Sequence, residues 1–326
     1  MTDKQPVAQA TLAGPRFRQV QWRSVAILFP FLVLFVALSI GSPRFLNPLN
    51  LLNILDQQSA TLMIAAAGTL VLISGGIDLS VGATYALSAV VAGTVTVSSG
   101  PVAGVLAALV VGLVVGLVNG VISTVLRVNS LIVTLAMSFI VAGVASLVTG
   151  GNLVVLFDRT DFAAIARTPF LGVRTSIWIM VVVVVVIGIV LARTTTGRYL
   201  YAAGGNPEAA RLAGIRVNAV RILGFTLSGV AAALGGIVDT SRVLSAQASP
   251  GTALTFTVLA GIVVGGTSIL GGEGAVWRTV VGVLFIALVG NGFNLLGVDA
   301  LFQQITLGVI LLVAVGIDAW SRVLRR

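Results

Sequence analysis

The sequence predicts an all-α polytopic membrane protein with about ten transmembrane helices, and three observations carry that prediction. Hydrophobic residues make up 57% of the 326 residues, charged residues only 9%, and the mean hydropathy is +1.11, which lies far outside the range of soluble proteins. Several apolar runs approach the roughly 20 residues that a helix needs to cross the hydrocarbon. These runs are aliphatic and rich in glycine, and they do not alternate as the strands of a membrane barrel do.

The predicted organisation is a polar cytoplasmic N-terminal arm (1–23), a transmembrane domain (24–320) and a basic cytoplasmic tail (321–326). A cleaved signal peptide is the alternative interpretation of the first apolar run. We disfavour it because the run is longer than a typical signal-peptide core and other spans follow it. The predicted spans, in order, are 24–40, 51–73, 83–97, 102–125, 131–148, 177–191, 219–238, 253–264, 276–296 and 301–317.

The basic residues support this order of spans. With both termini in the cytoplasm, the cytoplasmic loops hold fourteen of the nineteen Lys and Arg residues, and the outer loops hold Arg44, Arg159, Arg167, Arg174 and Arg242. This bias is the one expected of membrane proteins, so the net charge of +9 needs no nucleic-acid partner to explain it. It also places the loop 192–218 in the cytoplasm.

The residue types that are absent exclude several kinds of chemistry. The chain has no Cys and no His, which removes thiol nucleophiles, Cys/His metal sites and imidazole acid–base catalysis. Lys4 is its only lysine, whereas a phosphate-binding loop of the GxxxxGK[ST] type needs a lysine after its glycine turn. If transport consumes ATP, a separate subunit hydrolyses it.

A short polar segment, GGNPEAARLAGI at 204–215, interrupts the apolar chain inside the 192–218 loop. Asn206 is suited to cap a helix, Pro207 to occupy its first position, and Glu208 to face the positive end of the helix dipole. Gly214 supplies the stop. The segment therefore predicts one self-capped helix of about two turns, too short to be stable alone and typical of a contact element.

A second motif, GGIDLSVG at 75–82, separates two apolar runs. A carboxylate within a span is costly unless it finds a partner, water or a helix end, so Asp78 has two interpretations. It caps the next helix at the cytoplasmic end of the second span, which we favour, or it acts as a gate or substrate contact. Gly-Gly recurs at 265–266 after a similar apolar run, which indicates either a paired interruption typical of transporters or chance in a chain with 38 glycines.

These two motifs, together with 132–135 and 265–268, closely resemble the membrane permease of ribose-type ABC sugar importers, within the branched-chain amino acid and ribose permease superfamily. The resemblance covers nearly the whole chain after the N-terminal arm. It implies a type II importer fold and a non-catalytic subunit in the bacterial inner membrane, without a cofactor or metal of its own. The implied partners are a second copy or a sister permease, a cytoplasmic ABC ATPase, a periplasmic or lipid-anchored sugar-binding protein, and membrane lipid.

The resemblance also assigns roles to residues. The expected coupling residues, which would dock on the ATPase, are Gly204, Gly205, Asn206, Pro207, Glu208, Ala209, Ala210, Arg211 and Gly214. The candidate pathway or gate residues are Gly75, Gly76, Asp78, Ser80, Asn119, Asn291, Asn294 and Gln303. Neutral amides and hydroxyls can bind a sugar without the cost of buried charge, although interhelical hydrogen bonding explains any single one of them equally simply.

Two departures from the family pattern affect the substrate. Many relatives have two carboxylates in the stretch before the second Gly-Gly, and 253–266 of this chain has none. Asn129 and Ser130 stand where a proline is frequent. The alternative function is an ion-coupled secondary transporter of a small polar solute, but that class normally needs paired intramembrane charges, and a membrane-embedded enzyme would lack a catalytic set.

Overall fold

The computed structural model describes residues 27–248 and 251–323, and the predicted arm at 1–23 therefore lies outside the described residues. The described helices are α1 (Leu28–Gly41), α2 (Pro48–Gln57), α3 (Ser59–Ile73), α4 (Val81–Ser99), α5 (Pro101–Thr124), α6 (Ser130–Thr149), α7 (Thr160–Arg167), α8 (Thr175–Arg193), α9 (Thr195–Gly205), α10 (Pro207–Leu212), α11 (Val217–Val243), α12 (Gly251–Val264), α13 (Val276–Leu295) and α14 (Ala300–Val323). The described strands have two residues each: β1 (Val154–Val155), β2 (Pro169–Phe170), β3 (Val173–Arg174) and β4 (Ser245–Ala246).

The all-α polytopic class is confirmed. Six helices in the described part of the chain are long and apolar enough to cross a membrane, namely α4, α5, α6, α8, α11 and α13. Shorter apolar helices, α1, α3, α12 and the Leu301–Val313 part of α14, occupy the remaining predicted spans. Their length alone does not establish ten crossings.

The predicted second span, 51–73, is not one helix but two, α2 and α3, which meet at Gln58. The start of α2 is set locally, because the Asn47 side chain accepts the N–H of Leu49 at 2.9 Å and Pro48 occupies the first helical position. The Ser59 hydroxyl donates to the carbonyl oxygen of Asp56 at 2.8 Å across the break. Only α3 enters the centre of the bundle.

The core is built around α3, all fifteen residues of which are buried. Helix α11 packs against α3, α4 and α5. Its contact with α5 is backbone to backbone: a Cβ on Gly229 would lie 2.2 Å from the carbonyl oxygen of Gly112, and a Cβ on Gly116 would lie 2.5 Å from that of Phe225. Small residues permit this approach, which is how membrane helices commonly associate.

The strands form two small antiparallel pairs outside the helical core. Val154 pairs with Ala246 and links β1 to β4, while Pro169 pairs with Arg174 in the β2–β3 hairpin. Nearby, Arg159 donates to Asp161 at 3.0 Å and holds the pKa of that carboxyl below its usual range. These segments lie in the predicted outer loops, so they leave the membrane fold entirely helical.

Helices α3 and α12 end in the same way, and α6, α10 and α13 share this ending, so it is an ordinary helix termination. Gly75 and Gly266 have φ of 82° and 80°, and their N–H groups donate to Leu72 and Val263, three residues back, at 2.9 and 2.8 Å. The next N–H in each case reaches five residues back, which is a Schellman motif. The equivalent residues are thus Gly75 and Gly266, one residue out of step with the Gly-Gly alignment that the sequence suggested.

Candidate functional site

The segment at 204–215 folds as its residue types require. The Asn206 side chain accepts the N–H of Ala209 at 3.0 Å, Pro207 is the first residue of α10, and Gly214 has φ of 81°. Helix α10 has six residues, and the remainder of the predicted 192–218 loop is largely the eleven-residue α9. A helix of this length draws its stability from its cap and from the surface beneath it.

Helix α10 presents most of its side chains to the surroundings. Ala210 is its buried residue, while Leu212 is 91% exposed. Glu208 and Arg211 form an ion pair at 2.7 Å, with the Glu208 side chain 82% exposed. Helix α10 thus packs on the bundle through Ala210 and leaves Glu208, Arg211 and Leu212 accessible.

The end of α9 packs on two other segments at a contact that we call the glycine junction, formed by Gly75, Gly204, Gly271 and Gly272. A Cβ on Gly204 would lie 1.8 Å from the carbonyl oxygen of Ile73, and a Cβ on Gly271 would lie 2.9 Å from Gly75. Gly272 donates its N–H to that Ile73 oxygen at 2.9 Å. Only glycine leaves room for this approach, which brings the segment before α10 into contact with the end of α3.

Hydrogen bonds from Arg221 and Tyr201 stabilise the glycine junction. The Arg221 guanidinium donates to the carbonyl oxygens of Ser74 at 2.9 Å and Ala203 at 3.1 Å, so it satisfies the C-terminal ends of both α3 and α9. The Tyr201 hydroxyl donates to the carbonyl oxygen of Gly274 at 2.8 Å. Burial raises the pKa of the Tyr201 phenol, which keeps it protonated and able to donate at physiological pH.

Asp78 is the centre of a buried hydrogen-bond network. Its carboxylate accepts the N–H of Ser80 at 2.9 Å, the Ser80 hydroxyl at 2.7 Å and the Ser228 hydroxyl at 2.9 Å. The Asn119 amide in turn donates to the Ser80 hydroxyl oxygen at 2.8 Å. Asn119 Oδ1 has no partner among the described residues, so one acceptor beside Asp78 is unused.

Asp78 lies between the end of α3 and the start of α4, and deeper in the bundle than Ser74. Ser74 lies beside Arg221, whereas Asp78 lies beside Ser228, seven residues further along α11 and roughly 10 Å deeper at about 1.5 Å per residue. The chain from Ser74 to Ser80 therefore turns back into the bundle instead of ending at its surface. The N-cap position of α4 belongs to Ser80, and Asp78 supports that helix start through the Ser80 N–H.

The first two turns of α6 hold this irregular segment in place. The Ser130 hydroxyl accepts the N–H of Ile77 at 3.1 Å, and the Thr134 hydroxyl accepts that of Leu79 at 3.0 Å. Asn129 caps α6 by accepting the N–H of Leu131 at 2.9 Å. The unusual Asn129-Ser130 pair is thus part of the support of Asp78.

The other predicted pathway residues do not join this network. Asn291 on α13 exchanges hydrogen bonds with Asn50 on α2 at 3.0 and 3.3 Å. Asn294 accepts a bond from Gln303 on α14 at 3.0 Å. Both pairs are interhelical contacts, which was the simpler interpretation of these amides.

Sequence reasoning missed the partners of two acidic residues, Asp239, which is half-buried, and Asp56. Asp239, placed just beyond the predicted span 219–238, lies in α11 and accepts hydrogen bonds from Tyr85 and Arg242. Asp56, placed only loosely at the outer interface, is buried and pairs with Arg174 at 2.6 Å. The i,i+3 spacing of Asp239 and Arg242 is the one signal that the sequence offered. No group of three or more potential metal ligands occurs among the described residues.

A helical bundle with a fully buried central helix, broken spans and one exposed capped helix at its end defines a multi-pass membrane protein. The model of the family described as branched-chain amino acid transport system / permease component matches residues 50–315. The chain belongs to this family and is a transport component, not an enzyme.

Named relatives cover almost the whole chain. The ribose import permease protein RbsC of Bacillus subtilis is 40% identical over 296 residues, 89% of this chain and 92% of the relative. That of Escherichia coli K12 is 39% identical over 315 residues, 94% and 98% of the two chains. The L-arabinose ABC transporter permease protein AraH of Azospirillum brasilense is 37% identical over 325 residues, 98% and 96%. No solved structure matches the chain.

Proposed function

We propose that the chain is the membrane permease subunit of an ATP-binding cassette importer for a monosaccharide, ribose or a related sugar. The names of its relatives, ribose and L-arabinose permeases, support this substrate class. Since no GxxxxGK[ST] loop can be built with Lys4 as the one lysine, a separate subunit hydrolyses the ATP. The chain itself uses no cofactor.

The observation that carries the proposal is helix α10. It is capped at both ends, buries Ala210 and exposes Leu212, Glu208 and Arg211. A leucine on a rigid helix, flanked by charges, fits a groove with an apolar floor and polar rim. We propose that α10 is the coupling helix and that this groove belongs to the ATPase.

The glycine junction gives the route by which movement of α10 would reach the bundle. Helix α9 ends at Gly205, next to α10, and its Gly204 rests on Ile73 at the end of α3. From there the chain turns back to Asp78, beside Ser228. We propose that displacement of α10 by the ATPase shifts the 74–80 segment and so changes access through the bundle, with Gly75, Gly76, Asp78, Ser80 and Asn119 at the gate.

The proposed arrangement in the membrane is ten crossings in the inner membrane with both termini in the cytoplasm. Six long helices and four shorter apolar ones make up that number, and the positive-inside bias sets the orientation. We propose that Asn291, Asn294 and Gln303 line a path only in a state in which the Asn50–Asn291 and Asn294–Gln303 hydrogen bonds are broken. Two copies of the chain, or one copy and a sister permease, would enclose the pathway, with a binding protein delivering the sugar from outside.

Co-purification tests the proposal against an ion-coupled secondary transporter. The tagged permease, expressed with its genomic neighbours, should retain a stoichiometric ATPase subunit, and vesicles should take up sugar only with ATP and a binding protein. Uptake driven by an ion gradient in the absence of any ATPase would contradict it. The substrate follows from the melting shift of the cognate binding protein across ribose, arabinose, xylose and galactose.

A further inference from the structure

A cleft of about 450 Å³ opens at the end of the bundle that carries α10, next to the proposed gate and coupling helix, and the proposed function assigns it no ligand. Its walls come from the Gly75–Gly76 turn, the loop between α5 and α6, Arg211 of α10 and the first turns of α11. Among the residues that the structure describes, three arginines, Arg127, Arg211 and Arg221, line it, and no Asp or Glu does. A concave site with this charge attracts anions.

The three guanidinium groups have N–H groups that are available to donate to a ligand. Arg127 forms no hydrogen bond or ion pair within the described part of the chain. Arg221 donates through Nε and Nη2 to carbonyl oxygens, and Arg211 donates through Nη1 to Glu208, which leaves other N–H groups of both residues without a recorded protein acceptor. In the described ranges 27–248 and 251–323, Glu208, whose side chain is largely exposed, is the acidic group that pairs with a lining arginine.

Neutral polar groups complete the lining. The Ser123 hydroxyl is buried and has no hydrogen-bond partner among the residues that the structure describes. Thr124, Asn129 and Asn218 also line the cleft. The oxygens of a phosphate group can accept several charge-assisted hydrogen bonds at once from the N–H groups of arginine guanidinium groups and from an adjacent hydroxyl.

The rim next to Arg127 is apolar and exposed. Val125 and Leu126 on one side, and Leu131 and Ile132 on the other, present between 41% and 65% of their surface. They continue onto α5 and α6, whose surfaces are mostly exposed and apolar. A headgroup phosphate in the cleft would thus leave its acyl chains along these helices, as basic pockets between membrane helices allow.

We propose that the Arg127–Arg211–Arg221 cleft binds the phosphate of an anionic phospholipid. The lipid would bridge the α5–α6 loop to α10 and to the start of α11. Because those segments border the Gly75–Gly76 turn, a bound lipid would restrain the proposed gate; this consequence rests on the proposed function, whereas the binding does not.

Binding is tested on the purified full-length permease alone, without ATPase or sugar. Delipidated protein is titrated with short-chain phosphatidylglycerol or phosphatidylcholine, and bound lipid is counted by native mass spectrometry alongside the melting temperature. Wild type should retain phosphatidylglycerol in preference. Arg127→Gln should weaken the apparent affinity about tenfold through loss of a charge-assisted contact, and Arg198→Gln, an exposed arginine outside the cleft, should not.

Equal affinity of the Arg127→Gln and Arg198→Gln variants for phosphatidylglycerol, at an unchanged melting temperature without lipid, would overturn the proposal. A further arm uses inorganic phosphate and glycerol phosphate at millimolar concentration. Competition by these compounds with no preference for the lipid would keep the phosphate site but overturn its lipid source. Lack of both lipid and phosphate binding would overturn the site itself.

Discussion

Arg221 on α11 donates a 2.9 Å hydrogen bond to the carbonyl oxygen of Ser74, directly beyond the end of α3. Its second bond, to Ala203, fixes the helix that precedes α10. One side chain therefore joins the most buried helix of the bundle to the segment that carries the exposed helix. Arg221 therefore links the segment next to the proposed coupling helix directly to the segment next to the proposed gate.

Replacing Arg221 should loosen that connection. In Arg221→Met the side chain keeps its length but leaves two carbonyl oxygens without their donor, and hydrogen bonds from charged groups contribute roughly 1.5–3 kcal/mol. We expect the melting temperature of the purified permease to fall by several degrees and ATP-driven uptake to fall with it. Arg216→Met, at an exposed position nearby, is the matched control, and an equal loss in both variants would refute the role of Arg221.

The two neighbouring glycines of the α9 end should respond differently to alanine. A Cβ at Gly204 would lie 1.8 Å from the Ile73 oxygen, whereas at Gly205 the nearest atom is 4.0 Å away. Gly204→Ala should destabilise the permease by about 1–3 kcal/mol, since the overlap can be relieved only by backbone shifts. Gly205→Ala should melt like wild type, and thermal melting in one detergent compares the pair. Indistinguishable melting curves would show that α9 does not rest on α3.

Variants of Asp78 test whether this residue serves only the stability of the fold or also contacts the substrate. Asp78→Ala leaves the Ser80 N–H and two serine hydroxyls unpaired in the bundle interior, which should cost about 1–3 kcal/mol of stability. Asp78→Asn keeps one carbonyl oxygen for the Ser80 N–H and should retain most of that stability. Melting temperature and sugar uptake are measured together. If Asp78→Asn melts normally but abolishes uptake, the carboxylate serves transport as well as the fold.

The cap of α10 should matter more to coupling than to the rest of the fold. Asn206→Ala removes the acceptor for the Ala209 N–H, and loss of an N-cap costs about 1 kcal/mol, a large share for a six-residue helix. We expect faster hydrogen exchange confined to α10 and weaker retention of the ATPase. Asn206→Ser, which restores a capping oxygen, should recover both. Exchange spread over the whole bundle would instead indicate a general folding defect.

Features that depend on neighbouring residues in sequence were predictable, and those that depend on packing were not. Asn206, Pro207 and Gly214 specify α10 locally, so its cap, start and end all matched expectation. The contact of Asp78 with Ser228, 150 residues away, was not predicted, because it depends on how α11 packs. Nothing in the pattern around 74–80 indicates that the chain turns back into the bundle.

The break between α2 and α3 was missed for a different reason. Asn47 and Pro48 form a clear helix-start signal, but the continuous apolar pattern after them dominated the prediction of a single span. The many glycines predict close packing in general. They do not indicate which residue each glycine contacts, so the contact of Gly204 with Ile73 could not be predicted. The alignment of the two Gly-Gly motifs was likewise one residue away from the structural equivalence.

Charge reversal at Glu208 tests the central claim most directly. In vesicles holding the assembled importer, ATP hydrolysis and sugar uptake are measured together for wild type, Glu208→Gln and Glu208→Arg. Glu208→Gln loses an exposed ion pair, which contributes less than about 1 kcal/mol, and should keep most uptake. Glu208→Arg should insert normally and hydrolyse ATP without uptake. Unchanged uptake per ATP hydrolysed in Glu208→Arg would contradict the assignment of α10 as the coupling helix.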